Sequence, residues 1–398
     1  MFKSNFHWGF GIEDTFIGDP FPGTGKVLDE YELTNHYSLW RSDFERICAL
    51  GPDSVRWGIP WYKVQPEKNR WDWSFADEAI PYITEEKKLN LVLDLMHYGV
   101  PTWMEKAYLD PDYPKYVEEY TATVIQRYGR LLKFATPYNE PHTACEFCGN
   151  RGEWPPYLHG LEGYFSVLKG VVKGTQKQTR LLQQAGITCV QVECSGGYLT
   201  TDPDLKHLAE AECVRQEMFF NFLTGDYAGL EAWLPEFADY GLTDQDLQDF
   251  SDHRCSIDIM GINFYPQFSY HDIIKDHEGK TEVREHHLWT NELERKIRER
   301  YERFRCPVMI TETSVRDDPD MKKRWLLEAS ETVFRLYREG LPVYGFFWFP
   351  IIDMVDWDYR VHAGPKENFM ACFGMFDLDR KPNECASLYQ SIIEKNGR

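Results

Sequence analysis

Short apolar runs that end on a polar or aromatic residue recur along the 398-residue chain, each followed by a longer stretch with helical spacing. Phe6-His7-Trp8-Gly9-Phe10-Gly11-Ile12 reads as a first strand, bounded by a Gly/Pro-rich loop from Gly18 to Gly25. Leu39, Phe44, Ile47 and Leu50 then share one helical face, and Gly51-Pro52 ends that helix. Further strands are expected over Asp53–Gly58, Asn90–His97, Leu131–Ala135, Ile187–Glu193, Ile257–Tyr265, Pro307–Glu312 and Pro342–Phe349. Helical patterns separate them over Trp73–Lys88, Tyr113–Tyr128, Gly160–Gln184, Met321–Gly340 and Pro382–Lys395. Thr200–Asp252 is less regular but carries helices, and Asn291–Arg305 is a charged segment. Eight strand–helix units without a Gly-rich phosphate turn predict an α/β fold, a closed (β/α)8 TIM barrel rather than a doubly wound sheet. No low-complexity linker divides residues 1–398, so one catalytic domain is expected.

In such a barrel the active site lies at the carboxyl ends of the strands. The predicted ends carry Arg56, His97, Asn139, Glu140, Asn263, Tyr265, Glu312 and Trp348. Singly, each has a structural explanation: a satisfied buried polar group, a core indole, a surface carboxylate. Together they stand out, because two apolar strands each deliver a glutamate. Leu131-Leu132-Lys133-Phe134-Ala135 leads to Glu140, stopped at once by Pro141, and Pro307-Val308-Met309-Ile310-Thr311 leads to Glu312. A pair of carboxylates facing each other is what glycosidic-bond cleavage requires.

Composition narrows the classes. With 64 acidic against 44 basic residues the formal charge is −20, opposite in sign to what phosphate neutralisation needs, so no nucleic-acid partner is expected. Aromatic residues reach 15%, which suits both a large core and a cleft that stacks sugar rings. The start of the chain carries no apolar signal segment, and no apolar run reaches the ~18 residues of a membrane span. The expectation is therefore a cytoplasmic protein with no membrane partner and with reduced cysteines; a homo-oligomer is compatible with the sequence. Cys145-Glu146-Phe147-Cys148 is the one CxxC pair, and with no second pair at zinc-ribbon spacing no metal or other cofactor is expected.

The motifs, in order, resemble glycoside hydrolase family 1, the β-glucosidase-like retaining glycosidases of the large (β/α)8 clan, of which the chain looks like a divergent member. Leu95-Met96-His97-Tyr98-Gly99-Val100-Pro101 resembles the family's Leu-Tyr-His-Trp-x-x-Pro stretch. Thr136-Pro137-Tyr138-Asn139-Glu140-Pro141 resembles its Thr-Phe-Asn-Glu-Pro acid/base motif. Gly261-Ile262-Asn263-Phe264-Tyr265 matches Gly-Ile-Asn-Tyr-Tyr, and Ile310-Thr311-Glu312 matches the start of the nucleophile motif. Trp348 to Trp357 and Cys372 to Asp379 resemble the closing segments.

The resemblance implies a retaining β-glycosidase acting on a small glycoside or oligosaccharide, with Glu312 as nucleophile and Glu140 as acid/base. It implies that Arg56 and Tyr265 hold Glu312 as a carboxylate. It also implies that His97, Asn139 and Asn263 bind the sugar and that Trp348 and Trp357 give it apolar platforms. Transglycosylation or endo-acting glycan cleavage are the alternatives within the clan, and a catalytically silent sugar-binding protein is the alternative outside enzymes. The chain departs from the family in the floor of the pocket. Glu13 or Asp14 stands for a glutamine, Asp356 for a glutamate, Thr313-Ser314 for Asn-Gly, and His142 for an aromatic residue.

Overall fold

The computed structural model describes residues 6–396. Eight parallel strands close into a barrel: β1 (His7–Gly11), β2 (Ser54–Gly58), β3 (Asn90–Asp94), β4 (Phe134–Thr136), β5 (Thr188–Cys194), β6 (Ile259–Asn263), β7 (Val308–Glu312) and β8 (Val343–Trp348). Each pairs with its neighbours in sequence, and β8 returns to β1 through Gly9↔Phe347. The main helix after each strand is α1 (His36–Cys48), α2 (Ser74–Pro81), α3 (Tyr113–Tyr128), α4 (Gly160–Gln184), α5 (Lys206–Thr224), α6 (Thr290–Phe304), α7 (Pro319–Arg338) and α8 (Glu384–Asn396). The predicted (β/α)8 barrel is the observed fold.

Side chains fill the barrel. Val92, Val190, Val192, Ile259, Met309 and Phe347 form one buried cluster contributed by five strands. The glycines of β1 make room for the bulk of β8 and the residue just past it: a Cβ on Gly9 would lie 2.5 Å from the Phe347 ring, and one on Gly11 would lie 2.1 Å from Phe349. A larger cluster lies between barrel and helices. There α7, capped by the Asp318 side chain on the Met321 N–H, buries Trp325, Leu326, Ala329, Val333 and Leu336. From α8 the Tyr389 hydroxyl reaches into the β1–β8 seam and donates to the Gly9 carbonyl at 2.6 Å.

Three strand boundaries that shape the site differ from the sequence reading. β3 stops at Asp94 instead of His97, because the chain turns there, with Tyr98 at φ +60°. β4 is a three-residue strand preceded by a 3-10 turn over Gly129–Leu131. β6 ends at Asn263, leaving Tyr265 on the loop beyond it. Two features were not anticipated. The charged segment is helix α6, and Gly197–Leu199, Tyr270–Lys275 and Thr281–His286 form a separate three-stranded sheet near the carboxyl end of the barrel.

Candidate active site

The backbone at the barrel mouth places the two glutamates from opposite sides. Glu312 is the last residue of β7, where the ladder to β6 shifts register between Ile310 and Glu312. The shift turns Glu312 inward beside Thr311, whose hydroxyl donates to Asn263 Oδ1 at 2.7 Å. Beyond β4 the chain stays pinned to the barrel, since the Asn139 N–H bonds Met96 O at 2.8 Å and the Glu140 N–H bonds Val192 O at 3.2 Å. Glu140 itself has φ +42°, a conformation that costs about 1–2 kcal/mol for a non-glycine residue. Pro141 follows at the first turn of a short helix, Pro141–Cys145, where a missing N–H is harmless. The buried Glu193 carboxylate accepts from the His142 N–H at 2.9 Å and fixes the start of that helix.

One guanidinium organises the Glu312 side of the site. Arg56, fully enclosed in β2, forks onto Asp94 through Nε at 3.0 Å and Nη2 at 2.6 Å, and its Nη1 is paired with Glu312 Oε1. Its Nη2 also donates to Asn139 Oδ1 at 2.7 Å. The other Glu312 oxygen accepts from the Tyr265 hydroxyl at 2.7 Å. Burial pushes the Glu312 carboxyl up to about 7 against the pull of Arg56; the charge of Glu140 adds to the rise, and the Tyr265 hydroxyl opposes it.

Glu140 is held by a separate set of donors. Its Oε2 accepts from the Tyr98 hydroxyl at 2.6 Å and the Thr143 hydroxyl at 2.9 Å, and its Oε1 accepts from Asn263 Nδ2 at 2.8 Å. The two sets meet at Asn139, whose Oδ1 takes Arg56 and Asn263 and whose Nδ2 faces the Tyr98 hydroxyl and His97 Nε2, both at 3.0 Å. His97 Nδ1 lies 2.6 Å from Asp14. Burial opposes a charge on His97, but Asp14 and Asp94 outweigh it and lift its pKa well above the ordinary value. The Asn139 amide, 3.0 Å from Nε2, pulls the other way.

A cavity of about 490 Å³ opens over both glutamates, lined by His97, Tyr98, Asn263, Tyr265, Glu13, Asp356 and Trp357 among others. Glu13 is fixed by Thr15, whose N–H and hydroxyl both donate to its Oε1. Asp356 carries an ion pair to Arg316 Nη1 at 2.5 Å. Trp357 packs edge-on against Tyr98, Trp154 and, at 5.5 Å, Phe147, and its indole N–H is buried without a protein acceptor among the described residues.

Two predicted sugar contacts are corrected. Trp348 has no exposed surface, because its indole turns under the loop and donates to the Phe373 carbonyl; Phe373 and Pro350 face the cavity instead. Asn139 is fully buried with both ends of its amide spent on protein partners, so it organises the site from behind. Asp94, Tyr98, Thr143, Glu193 and Arg316 were not singled out from the sequence. Tyr98 adjoins His97 and Asp94 ends an apolar run, so a signal existed for those two; none existed for the others.

Asp14, Asp94 and His97 offer ligand atoms within 4.8 Å of one another, the spacing of a metal site. Arg56 already occupies Asp94 on both oxygens, so that acidity is answered by a guanidinium. The ten cysteines are free, and Cys145 and Cys148 are buried thiols whose pKa burial pushes up.

A closed barrel with two separately held glutamates over one cavity defines a glycoside-hydrolase type of enzyme. The family model for Glycosyl hydrolase family 1 matches residues 9–398, and the chain belongs to that family. It is 21% identical to β-glucosidase A of Thermotoga maritima over 98% of this chain and 93% of that protein. It is also 21% identical to a chloroplastic galactolipid galactosyltransferase of Arabidopsis thaliana, over 90% of this chain and 58% of that one. Among solved structures, the T. maritima β-glucosidase in complex with noeuromycin superimposes with a TM-score of 0.82 at 18% identity, covering 100% of this chain and 99% of the other. The protein is a β-glycosidase of this family, and among the described residues no helix is long and apolar enough to cross a membrane.

Proposed function

We propose that the protein is a retaining, exo-acting β-glycosidase that removes a terminal β-linked sugar from a small glycoside or oligosaccharide. The observation that carries this reading is the division of labour between the two hydrogen-bond sets. Glu312 is gripped by a cation, Arg56, together with Tyr265, while Glu140 sits across the same cavity on neutral donors alone, Tyr98, Thr143 and Asn263.

In the first displacement a Glu312 oxygen attacks the anomeric carbon as the bond to the leaving oxygen breaks, and Glu140 gives that oxygen its proton. In the second, Glu140 takes a proton from water, the water oxygen attacks the anomeric carbon, and Glu312 leaves. His97, Glu13, Asp356 and the Trp357 ring face the sugar. The Glu13 and Asp356 carboxylates make this floor rich in acceptors, which favours a sugar that presents hydroxyl donors to it.

Transglycosylation is the second reading, favoured by the likeness to a protein named as a galactosyltransferase and by a polar wall, with Tyr198, Gln216 and Glu285, where an acceptor would stand.

Two variants test the assignment. Glu312→Ala should abolish turnover of an activated aryl β-glycoside, with azide restoring product as a glycosyl azide of inverted configuration. Wild-type-like turnover would end the nucleophile role. Glu140→Ala should lose far more rate on poor leaving groups than on good ones, and equal losses would end the acid role. Product analysis with an added sugar acceptor separates hydrolysis from transfer.

A further inference from the structure

A second cavity, of about 390 Å³, lies behind the wall of the first and shares Tyr198 and Gln216 with it. It is bounded by the strand Gly197–Leu199, by α5 and by one face of α6, and no part of the glycosidase chemistry uses it. Its lining carries four cations, Arg295, Lys296, Arg300 and Arg303, against two carboxylates, Glu217 and Glu299. Glu292 pairs with Arg295 from outside the lining and still leaves the cations in excess.

An ion-pair ladder along a helix would be the plain explanation of such a pattern, and Arg295 and Glu299 fit it. Arg300 does not, and Lys296 joins it only through Glu299, which already pairs with Arg295. The Arg300 side chain is only 4% exposed and the Lys296 side chain 14%, so both are turned in from solvent. Arg300 and Arg303 share a single Glu217 oxygen, Arg300 reaches Ser195 only at 3.4 Å, and its Nε–H is buried with no acceptor among the described residues. The nearest carboxylate oxygen to Lys296 Nζ is Glu299 at 3.4 Å. Burial lowers the pKa of Lys296 and of Arg303; in both, Arg300 adds to the fall and Glu217 opposes it. Enclosed positive charge in excess of its carboxylates is costly, and it is conspicuous in a chain of formal charge −20.

We propose that this second cavity binds a phosphate-class oxyanion, held by Lys296, Arg303 and the unpaired Nε–H of Arg300. The planar guanidinium forks and the ammonium match the several acceptor oxygens of such a group. The anion is either free in solution or carried on the leaving group of a glycoside, since Tyr198 and Gln216 face both cavities. Only the second source rests on the glycosidase reading.

Calorimetric titration of the full chain with inorganic phosphate at low ionic strength tests the site. Saturable binding of one phosphate is expected, weakened about tenfold or more in the double variant Lys296→Gln/Arg303→Gln and unchanged in Lys323→Gln, an exposed lysine elsewhere. Phosphate should also raise the melting temperature of the wild type and leave that of the double variant unmoved, which separates loss of the site from loss of fold. Absence of saturable heat, or equal affinity in wild type and double variant, overturns the proposal. A pair of aryl β-glycosides, one with a phosphate on its aglycone, assigns the source. A rise in KM for the phosphorylated one alone in the double variant places the anion on the leaving group. Unchanged KM for both, with inorganic phosphate binding lost, makes it a free ligand.

Discussion

Each Glu312 oxygen has one protein donor, and the weaker of the two can be removed without unpairing a buried charge. Tyr265→Phe deletes the hydroxyl at 2.7 Å while leaving Arg56 in place. That hydroxyl stabilises the carboxylate and so lowers the Glu312 pKa; losing it raises a pKa already near 7. The acidic limb of kcat/KM should therefore move to higher pH, by about one unit for a net hydrogen bond of ~1–2 kcal/mol. A pH–rate profile on an aryl glycoside reads this directly, and a lowered kcat with an unmoved limb would confine the hydroxyl to the transition state. Both glutamates were legible in the sequence because Glu312 closes an apolar run and Glu140 follows one closely, so strand and chemistry were announced together. The ion pair of Arg316 with Asp356, 40 positions apart, was not. Nothing local marks two surface-type residues that meet only when loops from β7 and β8 fold over the same floor.

Barrel strands buried on both faces read as continuous apolar runs, and that is why all eight could be placed from the sequence. The ribbon Tyr270–Lys275 with Thr281–His286 gave no such signal, since most of its positions are half-buried or exposed and mix charge with β-branched residues. Helix α6 was equally mute: it fully buries only Leu293, Ile297 and Arg300, too thin a stripe beside so many charges. At this scale the end of β2 is a sensitive joint. A Cβ on Gly58 would sit 2.0 Å from Asp14 Oδ2, and Asp14 is the residue that holds His97. Gly58→Ala should force Asp14 off the imidazole and turn His97 from its place on the cavity wall. The expected result is a loss of about 1–3 kcal/mol by thermal unfolding, typical of overpacking, together with a raised KM. Lost stability with an unchanged KM would show that the barrel end absorbs the strain without passing it to the site.

The ends of the described chain are tied to its beginning by a buried polar chain that no local motif foretold. Arg380 donates to Asp43 of α1 through Nε at 2.9 Å and Nη2 at 3.0 Å, and Asp43 lies 2.8 Å from His36 Nδ1. His36 Nε2 in turn accepts from the Trp57 indole of β2 at 3.2 Å. The closing segment thereby braces the same strand that carries Arg56, linking barrel closure to the partner of Glu312. Both members of the ion pair are enclosed, at 3% and 0% side-chain exposure, so removing one leaves a buried charge behind. Arg380→Ala should cost about 3–5 kcal/mol of stability near neutral pH. The pH dependence has a definite sign. Burial raises the Asp43 pKa, but His36 and Arg380 outweigh it and hold the group below its usual value. A depressed carboxylate contributes stability that is present above its unfolded pKa of about 3.9 and is lost as pH falls through the folded value. Without Arg380 the folded pKa of Asp43 rises and that contribution shrinks. The gap between wild type and variant should therefore be full at neutral pH and narrow as the solution is acidified. Urea unfolding at several pH values measures it, and a gap that stays constant into the acid range would assign the loss to packing of the Arg380 side chain instead of its charge.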